Sequence, residues 1–434
     1  MVSAPPLSEI TSLWSDTVAS EPRFGKLSGN RQYDVAIIGG GYTGLAAARY
    51  LARKGLSPVV LEASRVGWGA SGRNGGVVSG KFRLTFSGIA EGWGIDMARH
   101  MHDLGIEAID HVGELVEAYD IKEANFQESG SLRCAHNESS LAALKQEVAW
   151  LNDVLGDHST SILASSQMLE ETGSEGFTGG LLNTHGGVIH PLNFVRGIAA
   201  GIAAEGIAIF EQSPVTSIRR DSAGLVLETP SGTINSRHAV MATNAYSDLT
   251  AATQSVQRTL IPFRSAIIAT EPLTGKPAAT LLCKGRSYTE TRRMMRWFRK
   301  SGDRLLFGGR GAFGKTDSPS AFAALQKAMV AQFPELADVQ VTHRWSGLVG
   351  MTLDSIPHVG RLDDRISYAV GYNGTGVAMS TLMGKYLAEI VTGNRPNIGL
   401  LASERLKKVP FYPIREPAVR LVAGWYQFLD AIGR

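Results

Sequence analysis

Cysteine is almost missing from this chain. Two occur in 434 residues, Cys134 and Cys283, far apart and without metal-ligand spacing. That excludes a disulfide framework, predicts no metal centre and points to a reducing, cytoplasmic compartment. Long hydrophobic runs are missing too: no stretch of about 18 apolar residues occurs, so no membrane-spanning helix is expected. The first residues, MVSAPPLSEITSLWSD, have neither a basic region nor an apolar core, so no secretory signal is expected there. An excess of one charge sign is also missing. A formal charge of +3 is small for this length and gives no reason to expect a nucleic-acid partner. What is present is apolar content of 44%, enough for two domains with substantial cores.

The rest of the chain is organised around residues 33–76. Tyr33–Ile38 is rich in β-branched residues and reads as a buried parallel strand. It runs into Gly39-Gly40-Gly41-Tyr42-Thr43-Gly44, a G-x-G-x-x-G motif, and an Ala- and Leu-rich helix follows from about Thr43 to Lys54, stopping at Gly55. Pro58–Leu61 is a second strand, ending on Glu62. Gly39 permits the tight turn, Gly41 lets the backbone approach a pyrophosphate, and Gly44 lets the helix lie close on the sheet. The helix N-terminus offers unpaired N–H groups to phosphates. Glu62 stands 18 residues past Gly44, the expected distance for a carboxylate that accepts ribose hydroxyls, and it would repel a 2′-phosphate. Gly69-Ala70-Ser71-Gly72-Arg73-Asn74-Gly75-Gly76 then follows where an ordinary NAD domain would start another helix. Such a loop offers backbone donors and a hydroxyl along an extended ligand.

Further along, residues 1–30 carry Pro, Ser and Gly and read as an extension wrapping the surface. Residues 96–119 and 141–155 have helical periodicity; these amphipathic helices are expected to lie on the sheet of a second domain. His190-Pro191-Leu192-Asn193 opens a helix with Pro191 in its first turn. Strands are expected near 207–211, at Leu225–Thr229 and at 238–245. Ser265–Thr270, Arg293–Arg299 and Arg304–Gly309 are further strand candidates, the last two joined by a Ser301-Gly302-Asp303 turn. Arg292, Arg293, Arg296, Arg299, Lys300 and Arg304 form a basic cluster. It is either a set of solvated strand faces or a place where one or two arginines meet a substrate carboxylate. Gly371-Tyr372-Asn373-Gly374-Thr375-Gly376-Val377 leads into a helix that stops at Gly393. That entry places N–H groups and the positive helix end against a ligand. In residues 397–434, Ala418, Leu421, Val422, Trp425, Leu429 and Ile432 recur at helical spacing. The polar side is not basic, so docking on this chain or on a second copy is favoured over a membrane surface.

This order of motifs resembles the FAD-dependent D-amino acid oxidase superfamily, and GWGASGRNGG, GGVIHPLN, TNAYS, DRLLFGG and RWSGLVGMTLDSIP are similar to the gamma-glutamylputrescine oxidase group within it. The resemblance spans roughly residues 31–395. It implies an α/β fold with a Rossmann-like, mixed three-layer FAD-binding domain (31–84, 188–247 and 342–396) and a β-rich α+β substrate domain (85–187 and 248–341). It also implies that Gly39, Gly41, Tyr42, Thr43, Gly44, Glu62 and Ala63 hold FAD together with Gly69, Ala70, Ser71, Arg73, Asn74, Gly75 and Gly76. Val215 is expected near the adenine and Ala242, Thr243 and Asn244 near the diphosphate. Gly347, Gly371, Asn373, Gly374, Thr375, Gly376 and Val377 are expected at the ring. Relatives with His in the last glycine turn differ from Thr375 here. The cysteine that holds flavin covalently in monomeric sarcosine oxidase has no counterpart around Trp345-Ser346-Gly347, so non-covalent FAD is expected. The strand matched to that enzyme's oxygen-activating lysine, Arg304–Gly309, has no lysine.

The implied activity is oxidation of a small amine at the carbon beside nitrogen, with molecular oxygen as the electron acceptor and hydrogen peroxide as product. Tyr372, Arg310 and Asn74 are the candidates for direct roles in catalysis. Trp345 is either a pocket wall or core, His190 either a helix-entry residue or an acid–base group, and Asp354 either a turn former or a proton acceptor. Two rival activities stay open: a dehydrogenase of the same fold passing electrons to a quinone or partner protein, and a flavin-binding subunit or RNA-modification module.

Overall fold

A computed structural model describes residues 11–310, 319–414, 417 and 421. Strand β1 (Gly29–Ile38) enters helix α1 (Tyr42–Arg53), and β2 (Pro58–Leu61) lies parallel to β1, Val35 opposite Pro58. β1 starts earlier than its apolar run because Gly29 to Gln32 pair with Gly232 to Asn235 of a later strand. All four residues of β2 are buried, as in a strand covered on both faces. Helix α1 ends at Arg53, and the chain turns away at Gly55, whose φ of +79° suits glycine.

Next come α2 (Ile95–Ala118), β3 (Ser131–Ala135), α3 (Glu138–Trp150), β4 (Thr160–Ala164) and β5 (Gly179–Asn183). Helix α4 (Pro191–Ala204), β6 (Ala208–Phe210) and β7 (Gly232–Met241) follow. Strands β8 (Ile261–Thr270), β9 (Ser287–Glu290), β10 (Arg296–Ser301) and β11 (Arg304–Arg310) precede helix α5 (Pro319–Gln332). The described chain then adds β12 (Val341–Met351), β13 (His358–Arg361), β14 (Ile366–Val370) and α6 (Gly376–Val391). The β10–β11 hairpin closes with Ser301 opposite Arg304, and Gly302 takes φ +54° in the turn.

Two large sheets result. The first has the order β13-β14-β7-β1-β2-β6, parallel from β14 to β6; Ala402–Ser403 flanks β13, and Leu225–Thr229 pairs antiparallel with β7 and with Ser217–Arg220. Along β1 the side chains alternate: Val35 and Ile37 join the core shared with α1, α4 and α6, whereas Ala36 and Ile38 join a second core with Leu225, Leu227 and Val256. Helices, sheet and meander thus make three layers. The second sheet has the order β12-β8-β11-β10-β9-β3-β5-β4; its pairs are antiparallel except β9 with β3.

Three expectations change. Helix α2 buries Met101, Leu104 and Val112 in the core of α1 and α6, not against the second sheet. Its amphipathic period fixes a buried stripe but not the partner. Strand β12, placed by sequence with the first domain, pairs with β8 in the second sheet from Ile261–Met351 to Thr270–Val341. The 1–30 extension does more than wrap the surface: Trp14 is fully buried, and its indole donates to the Asn74 carbonyl at 2.8 Å. The helix expected over Ala418–Ile432 falls, Leu421 apart, outside the described residues. Among the described residues no helix is long and apolar enough to cross a membrane, and no cluster of His, Cys, Asp or Glu is placed to hold a metal ion.

Candidate active site

A cavity of about 600 Å³ opens between the two sheets. Its floor is the turn out of β1. Gly39 adopts φ +112° there, and a Cβ would come 2.9 Å from the Ala242 carbonyl oxygen. Helix α1 starts at Gly41 with no side-chain cap; Tyr42 N–H donates to the Ser71 hydroxyl at 3.1 Å. A Cβ on Gly41 would meet that hydroxyl at 2.8 Å, so glycine keeps the approach to the helix end open. Gly44 lies beneath, where a Cβ would collide with the Gly39 carbonyl oxygen; it does not line the cavity but sets how closely α1 rests on β1.

Glu62 ends β2 and faces this turn. Its carboxylate accepts from Gly40 N–H at 2.7 Å and Ser64 N–H at 2.9 Å. Burial pushes its pKa up, and these two N–H groups pull it back. Each oxygen keeps acceptor capacity for a ligand hydroxyl. Glu62, Ala63, Val215, Ala242, Thr243 and Asn244 all line the cavity. Asn244, at φ +43°, also accepts from Gly371 N–H at 2.9 Å, which ties the end of β7 to the last glycine turn.

The 69–76 loop forms one wall, with Gly69, Ala70, Ser71, Arg73, Asn74 and Gly75 facing in. Arg73 is buried; it donates to the carbonyls of Trp68, Gly69 (3.2 Å) and Ser346 (3.3 Å), which fastens the loop to β12. Asn74 donates to the carbonyls of Ala70 (3.1 Å) and Ser71 (3.0 Å) and accepts from Gly76 N–H at 2.7 Å. Its amide is therefore engaged in shaping the loop. Gly76 itself does not line the cavity: it lies against the Ile189 carbonyl and Arg299.

Across the cavity, Tyr372, Asn373, Gly374, Thr375, Gly376 and Val377 lead into α6, a second helix N-terminus without a side-chain cap. Gly371 is set back, with a Cβ position blocked by Thr352. The Tyr372 hydroxyl shares a 2.5 Å hydrogen bond with Thr43 at the start of α1, and burial raises its pKa far above the ordinary phenol value. Gly347 lines the cavity from β12. Arg310 closes β11 opposite Ser265, and its side chain lies outside the described part of the structure.

Trp345, His190 and Asp354 take the structural alternatives. Trp345 is 1% exposed, outside the cavity, and donates to the Arg73 carbonyl at 2.9 Å. His190 caps α4 by accepting from Asn193 N–H at 3.1 Å, and Asp354 accepts from Ile356 N–H at 3.2 Å in a turn. In the basic cluster, Arg299 is buried and donates to the carbonyls of Gly76 and Ile189, both at 3.1 Å, so it is no solvated strand face. Arg292 and Arg293 line the cavity. Spacing gave no sign of Lys81, Arg133 and Glu147, which also line it.

The family described as "FAD dependent oxidoreductase" (DAO) matches residues 34–390. The chain belongs to this FAD-dependent oxidoreductase family. It is 32% identical to the gamma-glutamylputrescine oxidoreductase of Escherichia coli (strain K12) over 408 residues, 92% of this chain and 93% of that protein. It is also 32% identical to the probable oxidoreductase OrdL of Haemophilus influenzae, over 97% of each chain. The crystal structure of glycine oxidase from Geobacillus kaustophilus superposes with a TM-score of 0.71 at 22% identity, covering 87% of this chain and all of that one, and shows the same fold.

Membership in the DAO family implies FAD, and the residues present fit it. Two helix N-termini whose N-cap residues give no side-chain cap, and the Glu62 carboxylate, face one continuous cavity, and glycine stands at Gly39 and Gly41, where a Cβ would crowd its neighbours.

Proposed function

We propose that the protein is an FAD-dependent amine oxidase acting on a gamma-glutamylputrescine-like amine or a secondary amino acid. The observation that carries this reading is the single cavity. It runs from the FAD cradle into a chamber walled by Phe263, Ile267 and Trp297, with Glu290, Arg292 and Arg293 beside it and Lys81 at its far end. Bound FAD supplies a hydride acceptor for the carbon beside nitrogen, with oxygen as the final acceptor and hydrogen peroxide as product.

The chain's own residues prepare the amine. An alkylamine has a pKa near about 10.4 in water. Apolar walls disfavour its ammonium form, while Glu290, which also lines the chamber, is paired with Arg292, so the free lone pair needed for oxidation is favoured on entry. No dedicated general base is then required. Tyr372 is engaged with Thr43, and Asn74 holds the loop, so both act by positioning the ring edge rather than by moving a proton. Arg310, at the chamber end of β11, is proposed to meet the substrate. The reading includes FAD held without a covalent bond to cysteine; it is supported by Cys134, buried in the core of the second sheet, and exposed Cys283 both standing outside the cavity lining.

Anaerobic mixing tests the proposal. Gamma-glutamylputrescine, putrescine, sarcosine and pipecolate are added separately while the flavin absorption band is followed, then oxygen is admitted. Bleaching by one amine, with peroxide on reoxidation, is expected. Bleaching with slow reoxidation would point to a dehydrogenase, and no bleaching by any amine would overturn the reading.

A further inference from the structure

The far end of the cavity is built from the second sheet. Arg133 projects from β3 and Glu147 from α3, and the two form an ion pair with Arg133 Nη1 2.6 Å from both carboxylate oxygens. Lys81 joins them from the segment after the 69–76 loop; all three line the cavity. Lys81 has no hydrogen-bond or ion-pair partner among the described residues. Burial, and then the like charge of Arg133, lowers its pKa to about 8. Because Glu147 neutralises Arg133, the group carries one uncompensated positive charge turned towards the cavity.

The sheet gives the distance from the FAD end. In the order β12-β8-β11-β10-β9-β3, Gly347 on β12 and Arg133 on β3 are five strands apart, about 24 Å at the usual strand spacing. Trp297 on β10, which touches Gly75 of the FAD loop, is two strands from β3, about 10 Å. A molecule that spans the chamber is therefore elongated. One end lies by the FAD loop and the other by Lys81.

We propose that Lys81, backed by the Arg133–Glu147 pair, is a specificity-determining subsite for a carboxylate at the end of the substrate remote from the oxidised amine. This inference deepens the amine-oxidase reading and rests on it. It selects an amine joined by a chain of several bonds to a carboxylate, over a simple diamine of the same length.

The test uses the FAD-loaded full chain, as wild type, Lys81→Ala and Lys81→Arg. Two amines of similar length are compared: gamma-glutamylputrescine, whose remote head carries the carboxylate beside an α-ammonium, and N-butyrylputrescine, which lacks both; a cation at residue 81 attracts only the carboxylate, so its loss can raise KM only through that group. Lys81→Ala is expected to raise KM for the first at least tenfold, with kcat within twofold and KM for the second unchanged. Lys81→Arg restores most of the loss. Equal effects on both amines, or none on either, would overturn the subsite. A binding measurement separates this from the function itself. N-(γ-glutamyl)butylamine has the same head but no reacting amine; it is titrated calorimetrically into each protein. Lys81-dependent binding in a protein that oxidises neither amine would refute the oxidase reading and leave the subsite standing. Binding that is absent in wild type, or unchanged in Lys81→Ala, would refute the subsite.

Discussion

Glu62 shows how one side chain serves two purposes. It accepts from Gly40 N–H, which holds the 39–44 turn against the end of β2, and from Ser64 N–H two residues on, and it keeps lone pairs for a ligand hydroxyl, proposed to be the ribose of FAD. Glu62→Gln keeps the size but replaces one acceptor with a donor that would face Gly40 or Ser64 N–H. A hydrogen bond to a charged group contributes about 1.5–3 kcal/mol. The variant is expected to hold FAD roughly tenfold to a hundredfold more weakly, read by fluorescence of free flavin after dilution. Unchanged affinity would mean that the ribose finds its acceptor elsewhere.

At the scale of elements, the short helix Leu13–Asp16 is the unexpected support behind the site, outside the cavity lining. Trp14 makes edge contacts with His190 (4.9 Å) and Trp345 (6.1 Å), lies under the Arg299 guanidinium (5.3 Å), and donates to the Asn74 carbonyl. Trp14→Ala should cost about 3–5 kcal/mol, measured as a urea midpoint, and weaken FAD retention through the 69–76 loop. Trp14→Phe, which keeps much of the packing and loses the hydrogen bond, should cost less; a Trp14→Ala protein with wild-type FAD affinity would unlink the helix from the loop. Nothing in the sequence marked this residue, because one tryptophan in a Pro- and Ser-rich segment has no periodicity to interpret. The β1–α1–β2 unit was legible for the opposite reason: its strand, turn and helix are local, and backbone sterics at Gly39 and Gly44 dictate the motif. The period of α2 showed a buried face without saying which core receives it. The run Arg344–Gly350 carries no trace of its pairing with β8. Lys81, Arg133 and Glu147 meet only because the sheet order brings three distant segments together.

At the scale of the whole molecule, the first core is sensitive to acid. His111 on α2 sits between α1 and α6, with Nε2 2.7 Å from the Tyr50 hydroxyl and Nδ1 3.1 Å from the Thr381 hydroxyl. Burial, then the positive charges of Lys385 and Arg49, lowers its pKa to about 4, against the partial opposition of Glu107. Burial and then Arg299 lower His190 to about 4 as well. A histidine with a depressed pKa stays neutral in the fold while the unfolded chain takes up a proton below about pH 6.5. Its contribution is complete above that value and declines as pH falls towards 4. His102 works in the other direction: its hydrogen bond to Asp157 raises its pKa, so that contribution is complete below about pH 6.5 and is lost as pH rises through the raised value. His238, half-buried beside Arg361 and Arg365, is lowered too, and three depressed histidines against one raised histidine predict a net loss of stability on acidification. For His111 alone the loss is on the order of 2 kcal/mol by pH 5. Urea midpoints at pH 7.5, 6 and 5 should therefore fall steadily for the wild type. In His111→Gln, which can still bond Tyr50 or Thr381 but cannot titrate, the decline should be shallower. Equal slopes for the two proteins would show that protonation of His111 is not what loosens the packing of α2 on α1 and α6, and with it the helix that starts at the FAD turn.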